Sequence, residues 1–328
     1  MGALNDISIQ LFHRPEYPTA DFSGKTIIVT GSNVGLGKEA VKHFVRLKAA
    51  KVIIAVRSVA KGEAAKAEIE AESGRTGVLE VWELDLARYA SVKAFAKRAA
   101  SLDCLDAAIL NAAIATDKYE VFEDNESSIT VNVISTVLLG LLLLPTLRSS
   151  AKKWGSEPTL TFVGSGASTP FDERKTANAI ETLNNRETAD MRERYRVSKL
   201  LQVFAVAEIA QQTATEKSSV IINTLRPGLC YTDLTRQAQG ITALVVVVAR
   251  FLLAWAAEEG SRNLVHATTA GPDSHGVMTS AARVKSDILS SFFPVDERRS
   301  TQEKLWGEIA AKLEKIQPGI LTEVGLQA

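Results

Sequence analysis

The sequence predicts an α/β fold, a parallel sheet wound on both faces by helices, and two observations carry that expectation. Short β-branched apolar runs alternate with stretches of helical apolar periodicity from Lys25 onward, as expected where helices connect buried parallel strands. The first such run also passes straight into a glycine-rich turn and then a helix. The 328 residues are 46% hydrophobic and 23% charged, enough for one large domain with a full core. The 38 basic and 38 acidic residues cancel, which leaves no overall field to recruit nucleic acid or an anionic membrane.

Taken in order, residues 1–22 read as an extended N-terminal arm containing Pro15 and Pro18, ahead of a domain over 23–328. The arm lacks the basic start and apolar run of a secretory signal. Lys25 to Thr30 is the first buried strand. The turn Gly31-Ser32-Asn33-Val34-Gly35-Leu36-Gly37 follows, then a helix from Lys38. Missing side chains let backbone approach a pyrophosphate, and the helix start offers free N–H groups and a positive dipole end. The glycines are separated by three residues and then one, unlike the usual G-x-G-x-x-G. His43 reads as a packed helix residue.

Lys51 to Arg57 is the second strand, and Val59 to Ser73 an Ala/Glu/Lys-rich helix. An NAD site places a carboxylate at that strand's end to accept from a ribose 2′-OH. Here Arg57 stands instead with Lys61 one turn on, and a guanidinium suits a 2′-phosphate. Three more strand and helix pairs follow: Val78 to Leu84 before Asp85-Leu86, Leu105 to Leu110 before Asn111-Ala112-Ala113, and Thr159 to Val163 before Gly164-Ser165. The run Leu138 to Pro145 is too short for a bilayer, which needs about 20 apolar residues. A helix so apolar either lies deep in the core or covers a partner subunit. The Val133 to Leu147 helix is therefore compatible with a homodimer or homotetramer and equally with a monomer's core.

Arg194-Tyr195-Arg196-Val197-Ser198-Lys199 opens another long helix. An i, i+4 pair shares one helix face, so the Tyr195 phenol and Lys199 ammonium can enter one pocket. A cation there would lower the phenol pKa toward neutrality and make it a general acid or base. Cys104 and Cys230 lack metal or redox spacing and read as reduced thiols, which places the chain in the cytoplasm. His266 and His275 have no evident partners.

On these residues the chain resembles a short-chain dehydrogenase/reductase from Ser23 to Asp233. Thr30-Gly31-x-x-x-Gly35-x-Gly37 matches the family's cofactor loop, and Asn111-Ala112-Ala113 its Asn-Asn-Ala-Gly turn, with Leu110 and Ala113 departing from it. Tyr195 and Lys199 fall on the Tyr-x-x-x-Lys motif. The resemblance implies a Rossmann-type doubly wound sheet in a single domain. It implies Gly31, Ser32, Asn33, Gly35, Leu36 and Gly37 at the cofactor, with Arg57 and Lys61 at a 2′-phosphate. Asp85 and Leu86 then meet adenine, Asn111 follows the fourth strand, and Pro227, Gly228 and Thr232 meet the nicotinamide. It implies Asn132, Ser165, Tyr195 and Lys199 as catalytic residues. Ser165 would hold a substrate carbonyl, Tyr195 would exchange the proton, Lys199 would tune the phenol and hold ribose hydroxyls, and Asn132 would anchor a proton-relay water.

Thirty residues separate Ser165 from Tyr195, more than is usual in the family. Residues 171–194 read as a charged, helical insertion at the active-site rim, as in branches resembling retinol dehydrogenases and fungal biosynthetic members. Ser168 is a second candidate for the Ser165 role. Residues 234–300 read as the substrate-binding region. Within it Ile241 to Ala257 is an apolar lid, a peripheral membrane contact or packing, and Phe292, Phe293 and Pro294 could close the pocket. The leading expectation is an NADP(H)-dependent oxidoreductase, preferring NADP(H) to NAD(H), for a lipophilic carbonyl or secondary alcohol, a ketoreductase of natural-product type, with no metal. A non-redox enzyme of the same fold and a cofactor-binding scaffold are the alternatives.

Overall fold

The computed structural model describes residues 10, 13–165, 178–214, 220–230, 254–281, 283–285 and 295–328. Ser168, Thr232, residues 171–177 of the insertion, residues 241–253 of the apolar run, and Phe292 to Pro294 lie outside them.

The strands follow the apolar runs. In chain order they are β1 Thr26–Thr30, β2 Lys51–Val56, β3 Leu79–Glu83, β4 Ala107–Leu110, a small hairpin of β5 Val121–Phe122 and β6 Asn125–Glu126, then β7 Thr159–Val163, β8 Ile221–Arg226, β9 Met278–Ser280 and β10 Arg283–Lys285. The main sheet has the order β10-β9-β8-β7-β4-β1-β2-β3. All its neighbours pair in parallel except β9 and β10, so an antiparallel edge strand closes an otherwise parallel sheet. Strand order reverses between β1 and β4, which opens a crevice at their carboxyl ends.

The helices are α1 Gly35–Arg46, α2 Val59–Ser73, α3 Tyr89–Ala99, α4 Thr136–Trp154, α5 Ala179–Leu183, α6 Met191–Thr213, α7 Ala257–Ala267, α8 Val295–Ile316 and α9 Ile320–Val324. Alternation along β1 explains why its sequence is apolar throughout. Ile27 and Val29 enter a core with α1 and α7, while Ile28 enters a core with α3, α4 and α6 on the other face.

The apolar helix α4 continues from a π-helical turn, Ile129–Ser135. Together, residues 129–154 are long and apolar enough to cross a membrane, and 89% of their most apolar window is buried within this chain. Contacts with α3, β4, β7, α6 and α9 make it a core helix. The apolar character of this helix is thus accounted for by its own fold, without a partner subunit.

The strand β8 was not evident from its sequence because Asn223 and Thr224 interrupt it. Asn223 is fully buried with its amide satisfied: Nδ2 donates to Ala267 O at 2.9 Å and Ser274 Oγ at 3.0 Å, and Oδ1 accepts from Thr161 Oγ1 at 2.8 Å. His275 also has structural partners. Its Nδ1 accepts from Ile222 N at 3.2 Å and its Nε2 donates to Ala210 O at 2.8 Å, tying α6 to β8.

Residues 13–22 of the arm lie extended over α1 and α7. Arg14 pairs with Glu259 at 2.7 Å, Arg262 donates to Pro15 O at 3.0 Å, His266 donates to Glu16 O at 2.9 Å and Arg46 donates to Pro18 O at 2.6 Å. The Tyr17 ring meets the Arg46 guanidinium at 4.2 Å, and Phe22 packs edge-on against Phe44 at 4.9 Å. His43 is buried beside Glu258 at 3.0 Å, a packed residue as its position suggests.

The insertion is helical only over α5 among its described residues ahead of α6. The rest is fixed by polar contacts. Glu308 on α8 accepts from Ala179 N and Ile180 N, both at 2.9 Å, and so caps α5. Asn184 then accepts from Glu126 N at 2.8 Å and donates to Asn125 Oδ1 at 2.9 Å, docking the rim on the hairpin.

The closeness of α4 to the sheet gives a stability test. A Cβ on Gly140 would lie 2.6 Å from Phe162 Cζ, and that ring is fully buried. Gly140→Ala gains about 1 kcal/mol of helix propensity and meets an overpacking penalty of about 1–3 kcal/mol. A net loss of up to about 2 kcal/mol is expected in denaturant unfolding; a more stable variant would show that the helix is free to move off the sheet.

Candidate active site

The turn between β1 and α1 sits at the strand-order reversal. Gly31 has φ +64°, and a Cβ there would meet Ala112 Cα at 2.9 Å. Gly37 is as confined, its Cβ position lying 2.7 Å from Asn111 Nδ2 and 2.7 Å from Gly31 O. The start of α1 follows Val34 without a side-chain cap, so its first N–H groups are available to an anion. Ser32 does not face that opening with its hydroxyl, which donates to Val29 O at 2.7 Å and is buried. Asn33, Gly35 and Leu36 are partly exposed on the turn.

The neighbouring strand ends complete the crevice. Asn111 Nδ2 donates to Thr30 O at 2.9 Å and Gly31 O at 3.3 Å, while Ala112 N donates to Thr30 Oγ1 at 2.9 Å. Asn111 therefore braces β4 against β1. Arg57 and Lys61 are exposed just past β2, and Ser58 between them caps α2 by accepting from Lys61 N at 3.4 Å. Among the described residues Arg57 has no ion-pair partner. Past β3, Asp85 Oδ1 accepts from Ala87 N at 3.0 Å, and Leu86 is buried in the core.

The catalytic candidates come from β7, the π-helical turn and α6. Ser165 follows β7, and its hydroxyl hydrogen-bonds the Tyr195 phenol. One turn on from Tyr195, Lys199 is buried, with Nζ donating to Val163 O at 2.7 Å and Gln202 Oε1 at 3.1 Å. Asn132 is buried in the π-helical turn. Its side chain accepts from Ile114 N at 2.9 Å and donates to Ile114 O at 2.8 Å and Ser198 Oγ at 3.0 Å. Ser198 in turn donates to Tyr195 O at 2.8 Å, linking Asn132 to the tyrosine's backbone. Ser198 and Gln202 were not singled out in the sequence, although both lie on the Tyr195 helix at short spacing.

Arg194, next to Tyr195, fastens the helix start. It donates to Leu183 O at 2.6 Å and lies 3.7 Å from Glu126, both charged side chains being buried. Pro227 and Gly228 follow β8, where Pro227 O accepts from Asn263 Nδ2 at 3.2 Å. Among the described residues no three His, Cys, Asp or Glu side chains gather as a metal site.

The family model for short chain dehydrogenase matches residues 25–170. The chain is 44% identical to the short chain dehydrogenase/reductase dmxR8 of Cryptosporiopsis sp. (strain 8999), over 95% of this chain and 97% of that protein. The chain belongs to the short-chain dehydrogenase/reductase family. This dehydrogenase/reductase is also 40% identical to the short-chain dehydrogenase anuD of Penicillium roqueforti (strain FM164), over 98% of this chain and 85% of that one. Its fold matches the Pseudomonas aeruginosa RhlG/NADP active-site complex with a TM-score of 0.60 at 21% identity, covering 81% of this chain and 97% of that chain.

The electrostatics of this dehydrogenase/reductase correct one expectation. Burial raises the Tyr195 phenol to about 12, against the opposing effect of the Ser165 hydrogen bond. Lys199 does not offset that burial, so the lowered phenol pKa expected from it is absent; its Nζ donates instead to Val163 O and Gln202 Oε1. Burial lowers Lys199 itself from 10.5 to about 7.

That depression fixes a pH dependence. Below about pH 7 the amine is charged in folded and unfolded chains alike, and the burial penalty acts in full. Between about 7 and 10.5 the unfolded chain holds more protons, so this group's contribution to stability rises with pH. Melting curves of the cofactor-free protein and Lys199→Met are expected to shift in the parent's favour as pH rises through that window. A melting difference that does not vary with pH would remove the case for a depressed Lys199.

Proposed function

We propose that this oxidoreductase is NADP(H)-dependent and interconverts a carbonyl and a secondary alcohol on a lipophilic substrate of the natural-product type. The observation carrying the reading is the Ser165–Tyr195 hydrogen bond after β7, with Lys199 one helix turn on and bonded to Val163 O at the end of that strand. In this reading Ser165 donates to the substrate carbonyl and favours developing oxyanion charge. Tyr195 gives its proton to that oxygen in reduction and takes it from the alcohol in oxidation. Lys199 holds the nicotinamide ribose hydroxyls, and Asn132 anchors a water for proton exchange.

The uncapped α1 start and the crowded Gly31 and Gly37 fit a pyrophosphate held by backbone. Gly31, Ser32, Asn33, Gly35, Leu36 and Gly37 would line it, with Asp85, Leu86 and Asn111 toward adenine and its ribose. Pro227, Gly228 and Thr232 would flank the nicotinamide. When bound, the nicotinamide supplies or accepts the hydride, and the protein supplies orientation and electrostatics. Arg57 and Lys61, exposed past β2, support a preference for the 2′-phosphate of NADP(H) over NAD(H). The RhlG structure is named as an NADP complex. The lipophilic part of the reading draws on the exposed apolar side chains of Val34 and Leu229 near the crevice and on the run Ile241 to Ala257. Its setting in this reading is cytoplasmic, in fungal-type secondary metabolism.

Titration of NADPH and NADH tests the cofactor half. Arg57→Asp should weaken NADPH by about tenfold or more, the loss of about 1.4 kcal/mol or more of charge-assisted contact, while leaving NADH within a few-fold. Equal weakening of both would remove the 2′-phosphate assignment. Tyr195→Phe tests the chemistry: hydride transfer to a lipophilic ketone should fall by about 100-fold or more, with NADPH binding retained. Full turnover in that variant would end the general-acid role.

A further inference from the structure

The arm reaches the active-site end of the sheet through one residue. Gln10 Oε1 accepts from Leu229 N at 2.9 Å, and Gln10 Nε2 donates to Leu229 O at 3.0 Å. Both backbone groups of Leu229 are thereby paired with one side-chain amide from 219 residues away. Trp255 closes the unit: its indole donates to Gln10 O at 2.9 Å, and its backbone N donates to Leu229 O at 2.8 Å. The loop is built to accept this contact. Gly228 has φ +82°, and a Cβ there would lie 2.6 Å from Trp255 Cζ3 and 3.0 Å from Gln10 Oε1.

The held loop, residues 227–230, has the two halves of the site on either side. Cys230 and Trp255 form a small buried cluster against Leu36 of the glycine-rich turn. The preceding β8 pairs with β7, and Gly164 N donates to Leu225 O at 2.9 Å just before Ser165. Displacing residues 227–230 therefore disturbs the space between the phosphate cradle and the Ser165, Tyr195 and Lys199 group. The arm itself is anchored over residues 14–18 on α1 and α7, so Gln10 is tethered near its target.

We infer that Gln10 is a positioning residue, which holds the 227–230 loop in the conformation that receives the nicotinamide half of the cofactor. This rests on the NADP(H) reading above. A two-bond clamp at a loop backbone sets position while adding little to a core that Gln10 does not enter.

The experiment uses the full chain, with Gln10→Met to remove both bonds and Gln10→Glu to keep only the acceptor for Leu229 N. NADPH and adenosine 2′,5′-bisphosphate, which lacks the nicotinamide half, are titrated into each protein. Gln10→Met should weaken NADPH by roughly 5- to 50-fold, the range that two ordinary hydrogen bonds support. Gln10→Glu should fall between it and the parent, and the bisphosphate should bind all three within about twofold. Gln10→Glu carries the same comparison if Gln10→Met does not fold. Unchanged NADPH affinity in the variants, or an equal loss for NADPH and the bisphosphate, overturns the positioning role. A parent chain that binds no NADPH overturns the cofactor reading, and the inference with it.

Discussion

The closeness of β1 to β4 at their carboxyl ends is the constraint on which the site depends. Gly31 lies so near Ala112 that a methyl group has no room, and Asn111 spans the gap to two carbonyls of the β1 end. This contact sets how far the glycine-rich turn stands from β4 and thus the width of the crevice. It also aims α1, because Gly37 is pressed against Asn111 and Gly31 at the helix's first turn. A helix start aimed by backbone crowding presents its N–H groups with little freedom left to lose when an anion binds.

Burial at the opposite side of the crevice has a different character. Lys199 is kept away from water with two hydrogen bonds, and Tyr195 is raised rather than lowered in pKa. Burying an ionisable amine disfavours its charged form, so the lysine's surroundings oppose the protonation state that its proposed role requires. The apolar cores on both faces of the sheet supply the stability that lets such a group persist. The proposed role would thus run against part of the local electrostatics, and perturbed pKa values of this kind cluster at catalytic sites.

The legible parts of the sequence were those governed by local pattern. Continuous β-branched runs marked β1 and β2 because both faces of those strands are buried, and glycine placement marked the turn between β1 and α1. The Tyr195 and Lys199 spacing put both residues on α6, but i, i+4 spacing fixes where two side chains begin, not where their ends go. The ammonium ends at Val163 O, contributed by another strand. Ser198 and Gln10 left no comparable signal, since their partners include backbone atoms and residues distant in sequence. The strand β8 was hidden for a related reason: Asn223 looks polar in sequence, yet its amide is fully paired across β7, α7 and the following turn.

Three segments converge on the sheet's functional end from far apart in the chain, and each is fastened by polar groups. Gln10 pairs with the loop after β8, Asn184 docks the rim on the hairpin, and Asn132 holds Ile114 while touching Ser198. An ordinary hydrogen bond adds only about 1 kcal/mol net, small beside the burial of the two apolar cores. Its direction and length are nevertheless well defined. The fold thus divides its interactions: non-directional apolar burial holds the sheet and helices together, and directional polar contacts set where the surrounding segments stop. Substituting those polar residues should therefore alter site geometry more than global stability, which makes cofactor and substrate affinity the sensitive readouts for the periphery of this site.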